Sequence, residues 1–238
     1  MKYLLSMLLG LCFLATTATV RAQLSPNVYT YITEEDTLQV THQFAIDDSY
    51  FVYSAYTSSP NTFITTMGGY YTAKKDTITV NLEFNANYKE DQIKTLQIPY
   101  TIAKEQLIVD FKGIKALTTP ATNKQALDGK WLMAGRVVNG EERSRDTTRP
   151  RKTMKFLLNG HFQWIAFNTE TFQFSGTGGG VFSAKDGVYE EHILFFSRDH
   201  SRVGAKLKFS YDIKESNWHH TGKSSKGAPL YEIWTKRN

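Results

Sequence analysis

Glu191 and His220 are the two side chains of this chain whose chemistry could combine. A carboxylate beside an imidazole can pass a proton, orient a polar ligand, or satisfy one another inside a core. Each stands in a stretch of alternating character, Val188–Phe196 and Asn217–Gly222, where residues two apart share a face. Glu191 thereby shares its face with Tyr189, Ile193 and Phe195, and His220 shares its face with Trp218. Three roles are open: a structural pair in a core, a ligand-orienting pair in a cavity walled by Trp164, Trp218 and Tyr211, or an acid–base pair in catalysis. The last lacks a third group or a nucleophile, so no catalytic residue is assigned and no enzyme is expected. The doublet His219-His220 suggests a metal or haem, but adjacent strand residues point to opposite faces and cannot easily share one ion. No metal and no cofactor is expected.

A second chemical feature is a run of cations, Arg136, Arg143, Arg145, Arg149, Arg151, Lys152 and Lys155, most of it in a long connection around Pro150. Arg143, Arg145, Arg149 and Arg151 form either an anion-attracting loop or a solvated one. No further basic stripe accompanies them, so nucleic acid is not an expected partner.

The elements that position these groups come from a duplication. Shifting the chain by 111 positions aligns Ser49–Ile102 with Gly160–Ile213 without a gap, and 12 of 54 positions are identical. Chance would give about 3 at ordinary composition. Among the identities are Phe63/Phe174, Thr66/Thr177, Gly68/Gly179, Gly69/Gly180 and Phe84/Phe195. The repeat sets Glu191 against Val80, His220 against Val109, Trp218 against Leu107 and Trp164 against Tyr53. Ile78, Val80, Leu82 and Phe84 read as the inward face of a strand, so their counterparts Tyr189, Glu191, Ile193 and Phe195 are expected inward too.

The period within each copy is two residues. In the second copy strands are expected near Lys130–Val138, Thr153–Leu158, His161–Phe167, Phe172–Ser183, Val188–Phe196, Ala205–Ile213, Asn217–Gly222 and Leu230–Lys236. Turn signals such as Asn159-Gly160 and Lys185-Asp186-Gly187 separate them, and no convincing helix of ten residues is present. Gly178-Gly179-Gly180 falls mid-strand and reads as a bend or bulge, not a phosphate loop, because no helix follows it. Eight short antiparallel strands in sequential hairpins close best as an up-and-down barrel. The expectation is an all-β chain of two tandem antiparallel barrels after a signal peptide.

The domains are then 1–22, signal peptide; 23–117, a degenerate first repeat; 118–127, a polar linker with a Pro; and 128–238, the second domain. Met1-Lys2, a short apolar stretch from Tyr3 to Ala15, and Val20-Arg21-Ala22 fit export with cleavage before Gln23. The apolar stretch is shorter than the roughly 20 residues of a spanning helix, and Leu11 is too large to precede a lipidated Cys12. Periplasm or the extracellular space is expected, with no transmembrane segment after cleavage. The one Cys of 238 residues lies in that leader, so no disulfide helps, and the core alone must hold the fold.

Gly129-Lys130-Trp131 at the first strand of the second copy is similar to the Gly-x-Trp signature of lipocalins, and Trp234-Thr235-Lys236-Arg237 stands where lipocalins place a basic residue against that Trp. With Asp186–Ile193, Trp218–Lys223 and Glu232-Ile233-Trp234, the second half resembles uncharacterised lipocalin-like secreted proteins of Gram-negative bacteria. The resemblance covers about Asp128–Arg237 and implies a calycin-type barrel without an established activity. The first copy lacks Gly-x-Trp and a full final strand, so its barrel is expected to close incompletely.

The two halves differ in composition. All four Trp and five of six His lie in the second; Gln23–Gln125 holds 8 Lys and 11 Asp+Glu, whereas Ala126–Asn238 holds 18 Lys+Arg and 12 Asp+Glu. The expected function is non-enzymatic binding of a small ligand, acidic or amphipathic, in the second barrel. The alternative is a structural or protein- and glycan-interaction module of the cell envelope with packed barrels.

Overall fold

The computed structural model describes residues 24–237 apart from 36, 104–105 and 119–120. The expected signal peptide, 1–22, lies outside the described residues. The first sheet comprises β1 (Asn27–Glu35), β2 (Leu38–Ile46), β3 (Tyr50–Ser58), β4 (Asn61–Lys74), β5 (Thr77–Asn85), β6 (Thr95–Ala103), β7 (Gln106–Phe111) and β8 (Ile114–Ala116), in sequential antiparallel order. The second comprises β9 (Gly129–Val138), β10 (Glu141–Ser144), β11 (Arg151–Leu158), β12 (His161–Asn168), β13 (Phe174–Lys185), β14 (Val188–Phe196), β15 (Lys206–Lys214), β16 (Asn217–Lys223) and β17 (Pro229–Lys236). Among the described residues the only helical pieces are single turns, α1 (Tyr88–Asp91) and a 3₁₀ turn at His200–Arg202. No helix among them is long and apolar enough to cross a membrane.

These are two tandem antiparallel barrels. In the second, β17 pairs with β9 from Lys236↔Trp131 to Glu232↔Arg136, which seals the sheet. In the first, β8 is three residues long and the seam is held at Thr30 and Thr118 by two backbone hydrogen bonds of 3.1 and 2.8 Å. Closure of the second removes the exposed edges that an open sheet of this size would carry, while the first, with its shortened final strand, is nearly closed through that one bridge. The strand absent from the sequence reading is β10, a ribbon that doubles β9 back over itself inside the long basic connection.

The Gly-Gly pairs are bulge sites in both copies. Gly69 pairs with Leu82 while Gly68 pairs with Phe84, leaving Glu83 as the extra residue; Gly180, Gly179 and Leu194 repeat this between β13 and β14. A Cβ on Gly69 would fall 1.9 Å from the Asn81 carbonyl oxygen, and one on Gly180 would fall 2.0 Å from that of His192, so backbone approach alone demands glycine. The bulge also corrects the expected facing of Phe84 and Phe195. One extra residue reverses the alternation, so both phenylalanines leave the barrel interior and turn to the partner barrel.

That outer face forms a contact between the barrels with approximate two-fold symmetry. Tyr56 stacks on Phe195 at 4.6 Å, and their repeat equivalents Phe167 and Phe84 lie 4.9 Å apart. Phe63 stacks at 5.8 Å on Phe174, its own equivalent. Gln163 donates to both Thr66 and Thr177, at 3.1 and 3.0 Å, and accepts from Ser54 at 3.0 Å. Val28, Ala45, Tyr50 and Val52 join Leu132, Met154, Phe156 and Leu158 in one buried apolar cluster shared by both barrels. Lys130 to Asp47 and Arg237 to Glu83 add ion pairs across it. The barrels are therefore one packed body, and the segment read as a linker is itself pinned, Gln125 accepting from the Ala184 amide at 3.0 Å.

Candidate functional site

Alternation on β11 decides which groups reach the second barrel's interior. Met154, Phe156 and Leu158 go to the contact between barrels, so Thr153, Lys155 and Leu157 point the other way. Lys155 is cross-strand partner to Trp131, as Phe44 is to Tyr29 in the first barrel. The second copy thus carries a buried amine where the first buries a phenyl ring. On β14 and β16 the same alternation brings in Tyr189, Glu191, Trp218 and His220, and on β17 it brings Glu232 and Trp234.

The centre of the site is an ion pair. Nζ of Lys155 lies 2.7 Å from Oε1 of Glu191, with side chains only 6% and 7% exposed. The Tyr189 hydroxyl donates to the same oxygen at 2.8 Å. Burial pushes the Tyr189 pKa well up, and the Glu191 carboxylate reinforces this, so the hydroxyl stays a donor. The Lys155 ammonium also faces three rings, 5.0 Å from the centroids of Tyr189 and Trp218 and 5.4 Å from that of Trp234. Ring faces carry negative potential, so they hold a cation that has lost its water.

His220 is enclosed by aromatic rings, 4.1 Å from Phe209, 5.0 Å from Trp218 and 5.4 Å from Tyr189. Its Nδ1 is 3.6 Å from Oε2 of Glu232, a distance too long for a hydrogen bond. Burial lowers the His220 pKa and the Lys155 charge lowers it further, so the imidazole is neutral at neutral pH. Burial opposes the Glu232 carboxylate, but His220, Lys155 and Arg136 more than offset this and hold its pKa below the ordinary glutamate value. Oε1 of Glu232 accepts from Arg136 at 3.3 Å.

These groups border a cavity of about 340 Å³ inside the barrel. Lys155, Glu191, His220 and Glu232 supply its polar wall; Met133, Trp164, Ile193, Leu207, Leu230 and Trp234 supply much of the rest. The indole Nε1 of Trp218 and of Trp234 and both ring nitrogens of His220 are buried without a hydrogen-bond partner among the described residues. Trp131 packs edge-on against Trp218 at 5.8 Å and donates to the Leu127 carbonyl at 2.9 Å, with the Lys236 ammonium 5.7 Å from its ring.

The structure brings Glu191 and His220 to one cavity but not to each other. This corrects the expected pair: β11 delivers Lys155 to Glu191, and β17 delivers Glu232 to face His220. Trp164 lines the cavity. Trp218 stands behind Lys155 and His220, and Tyr211, cross-strand neighbour of His220, packs on the core without lining the cavity. His219, on the outer face, meets the Tyr231 hydroxyl at 3.1 Å.

Part of the basic connection is strand, not loop. Arg143 sits in β10 opposite Arg136, and Arg145 donates to the Thr153 hydroxyl at 3.2 Å and the Arg151 carbonyl at 3.0 Å. Partial burial and the charges of Arg151 and Arg136 lower the Arg145 pKa. Arg149 pairs with Asp146 at 3.4 Å in solvent. Of this group only Arg136, Thr153 and Lys155 line the cavity.

Lys155, Tyr189, Glu232 and Arg136 were missing from the sequence reading of the site. For Lys155 a signal existed, since the same shift of 111 that sets Glu191 on Val80 sets Lys155 on Phe44. Glu232 had none, because the first barrel's final strand is too short to offer an equivalent. No family model matches the chain, and neither the curated proteins nor the solved structures contain a match.

Proposed function

We propose that this chain is a non-enzymatic binding protein for a small amphipathic ligand, held inside the second barrel. One observation carries the reading. The first barrel buries Phe44, Val80, Leu107 and Val109 in one apolar cluster, whereas the second carries Lys155, Glu191, Trp218 and His220 at those positions, three of which, Lys155, Glu191 and His220, line a cavity of about 340 Å³. A barrel of this kind needs none of these polar groups to close. Burying them costs stability that an apolar core would not lose, and a ligand site is a reason to keep them. The volume falls in the range of small-molecule sites, roughly 300–1,000 Å³, and a mostly apolar wall with a few convergent polar groups is their usual make-up.

The test is a titration of the intact protein with small amphipathic compounds, read by Trp fluorescence, since Trp164 and Trp234 border the cavity. Saturable quenching that disappears when Ala166 is replaced by Trp to fill the cavity supports the reading. Native mass spectrometry of protein from its own source then names the ligand class. Quenching that survives the filling substitution places the binding elsewhere and removes this reading.

A further inference from the structure

We propose that the ligand is an amphipathic aldehyde, held as a protonated imine on Nζ of Lys155; the inference rests on the ligand-binding reading above. Lys155 is the one lysine that lines this cavity. Its nitrogen stands 2.7 Å from Glu191, the distance over which a proton passes from ammonium to carboxylate. The freed amine attacks the carbonyl carbon, and a proton moves from nitrogen to oxygen to give the carbinolamine. Glu191 returns its proton to the hydroxyl, which leaves as water, and the nitrogen becomes a protonated imine. One aldehyde enters and one water leaves, and no oxidant or reductant is needed.

The site suits this outcome because its charge does not change. An ammonium beside a carboxylate becomes an iminium beside the same carboxylate, facing the same rings of Tyr189, Trp218 and Trp234 at 5.0 to 5.4 Å. A carboxylate ligand fits less well. It would set a second anion against an ammonium that Glu191 already neutralises, while Glu232 is already matched by Arg136 at 3.3 Å. A neutral carbonyl adds an acceptor without adding charge. The Trp234 indole N–H and the His220 ring belong to residues that border the cavity and have no hydrogen-bond partner among the described residues, so a small side-chain shift would bring a donor to its oxygen. The apolar part of the molecule would then rest on Met133, Trp164, Leu207 and Leu230.

Reductive trapping of the full chain decides the matter. The protein is incubated with trans-cinnamaldehyde and sodium cyanoborohydride, and modified lysines are located by peptide mass mapping. Lys155 should be labelled at least about tenfold faster than exposed lysines such as Lys208 and Lys214, because the cavity holds the aldehyde against the amine. Label spread over exposed lysines, with Lys155 unmodified or no faster, overturns the proposal. Cinnamyl alcohol, which cannot condense, separates this from the reading beneath it. If the alcohol quenches Trp fluorescence saturably while the aldehyde leaves Lys155 unlabelled, ligand binding stands and the imine falls; if the alcohol does not bind and the aldehyde does not label Lys155, both fall. Labelling of wild-type protein needs no variant to fold.

Discussion

The two barrels share a topology, a pair of glycine bulges and a contact face, yet equivalent interior positions carry different chemistry. In the first, Phe44, Val80, Leu107 and Val109 meet in an apolar core, and its one histidine, His42, is spanned by the Thr33 hydroxyl at 2.9 Å and the Tyr53 hydroxyl at 2.8 Å. In the second, the same positions carry an ion pair, an indole and an imidazole beside open volume. The conserved geometry therefore comes from backbone demands and from the shared face, and the interior is free to vary. Divergence concentrates where a barrel does not need its residues in order to close.

The comparison is best broken at the ion pair. Replacing Lys155 with Met strands the Glu191 carboxylate at 7% exposure and should cost roughly 3–5 kcal/mol in a urea unfolding curve. The double replacement Lys155→Phe with Glu191→Val installs the first barrel's residues and removes both charges, so it should recover most of that loss. A double variant as unstable as the single one would show that the second interior cannot revert, and that the barrels differ in more than side chains.

Next come the phenylalanines of the shared face. Phe84 and Phe195 are 0% and 1% exposed and occupy equivalent places. Each replaced by Ala should cost about 3–5 kcal/mol, the two within experimental error of each other, with one cooperative transition for the whole chain. Unequal losses, or two separate transitions, would mean that the contact is not the symmetric unit described.

A smaller effect is expected at Lys130, paired with Asp47. Lys130→Val alone leaves the carboxylate in a largely buried site and should cost roughly 1–3 kcal/mol; adding Asp47→Asn, which drops the charge but keeps an acceptor for the Ser49 and Tyr50 amides, should restore part of it. Thermal melts of the three proteins test this.

The smallest effect concerns pH. The folded-state pKa of His220 is below its unfolded value, so the unfolded chain binds the extra proton first as pH falls. Stability should be full above the unfolded histidine value, about 6.5, and decline below it until the folded pKa is reached. His161, also lowered by burial, adds to the same slope, so His220→Val should reduce the decline without abolishing it. An unchanged slope would mean that the His220 pKa is the same in the folded and unfolded chains.

Much of the architecture was legible in the sequence. Val188–Phe196 is a strand with those same bounds, and the other expected strands of the second copy shift by one or two residues at their ends. Period-two patterning and Asn-Gly or Asp-Gly turns carry that information locally. The reversal at Phe84 and Phe195 was not legible, because a bulge inserts a residue without changing the hydrophobic pattern around it. The short ribbon at Glu141–Ser144 was also hidden, since all four of its side chains are exposed and no alternation marks it. At the site, the repeat pointed to Glu191 and His220 because each replaces a valine. Their partners depend on which strands lie opposite across a closed barrel, and one strand's sequence does not say.

The shared face carries a further meaning through one broken symmetry. By the strand pairings Lys130 is the equivalent of Val28, and by the repeat Asp47 is the equivalent of Leu158. On one side of the pseudo-axis the contact is ionic, and on the other both residues belong to the buried apolar cluster. Two identical chains meeting through this face could not make that choice, since any substitution would occur twice, once on each side of the axis. A single chain holding both copies can alter one side and leave the other. Joining the halves in one gene lets inheritance act on each separately, so one side of the contact can change its chemistry while the other keeps it.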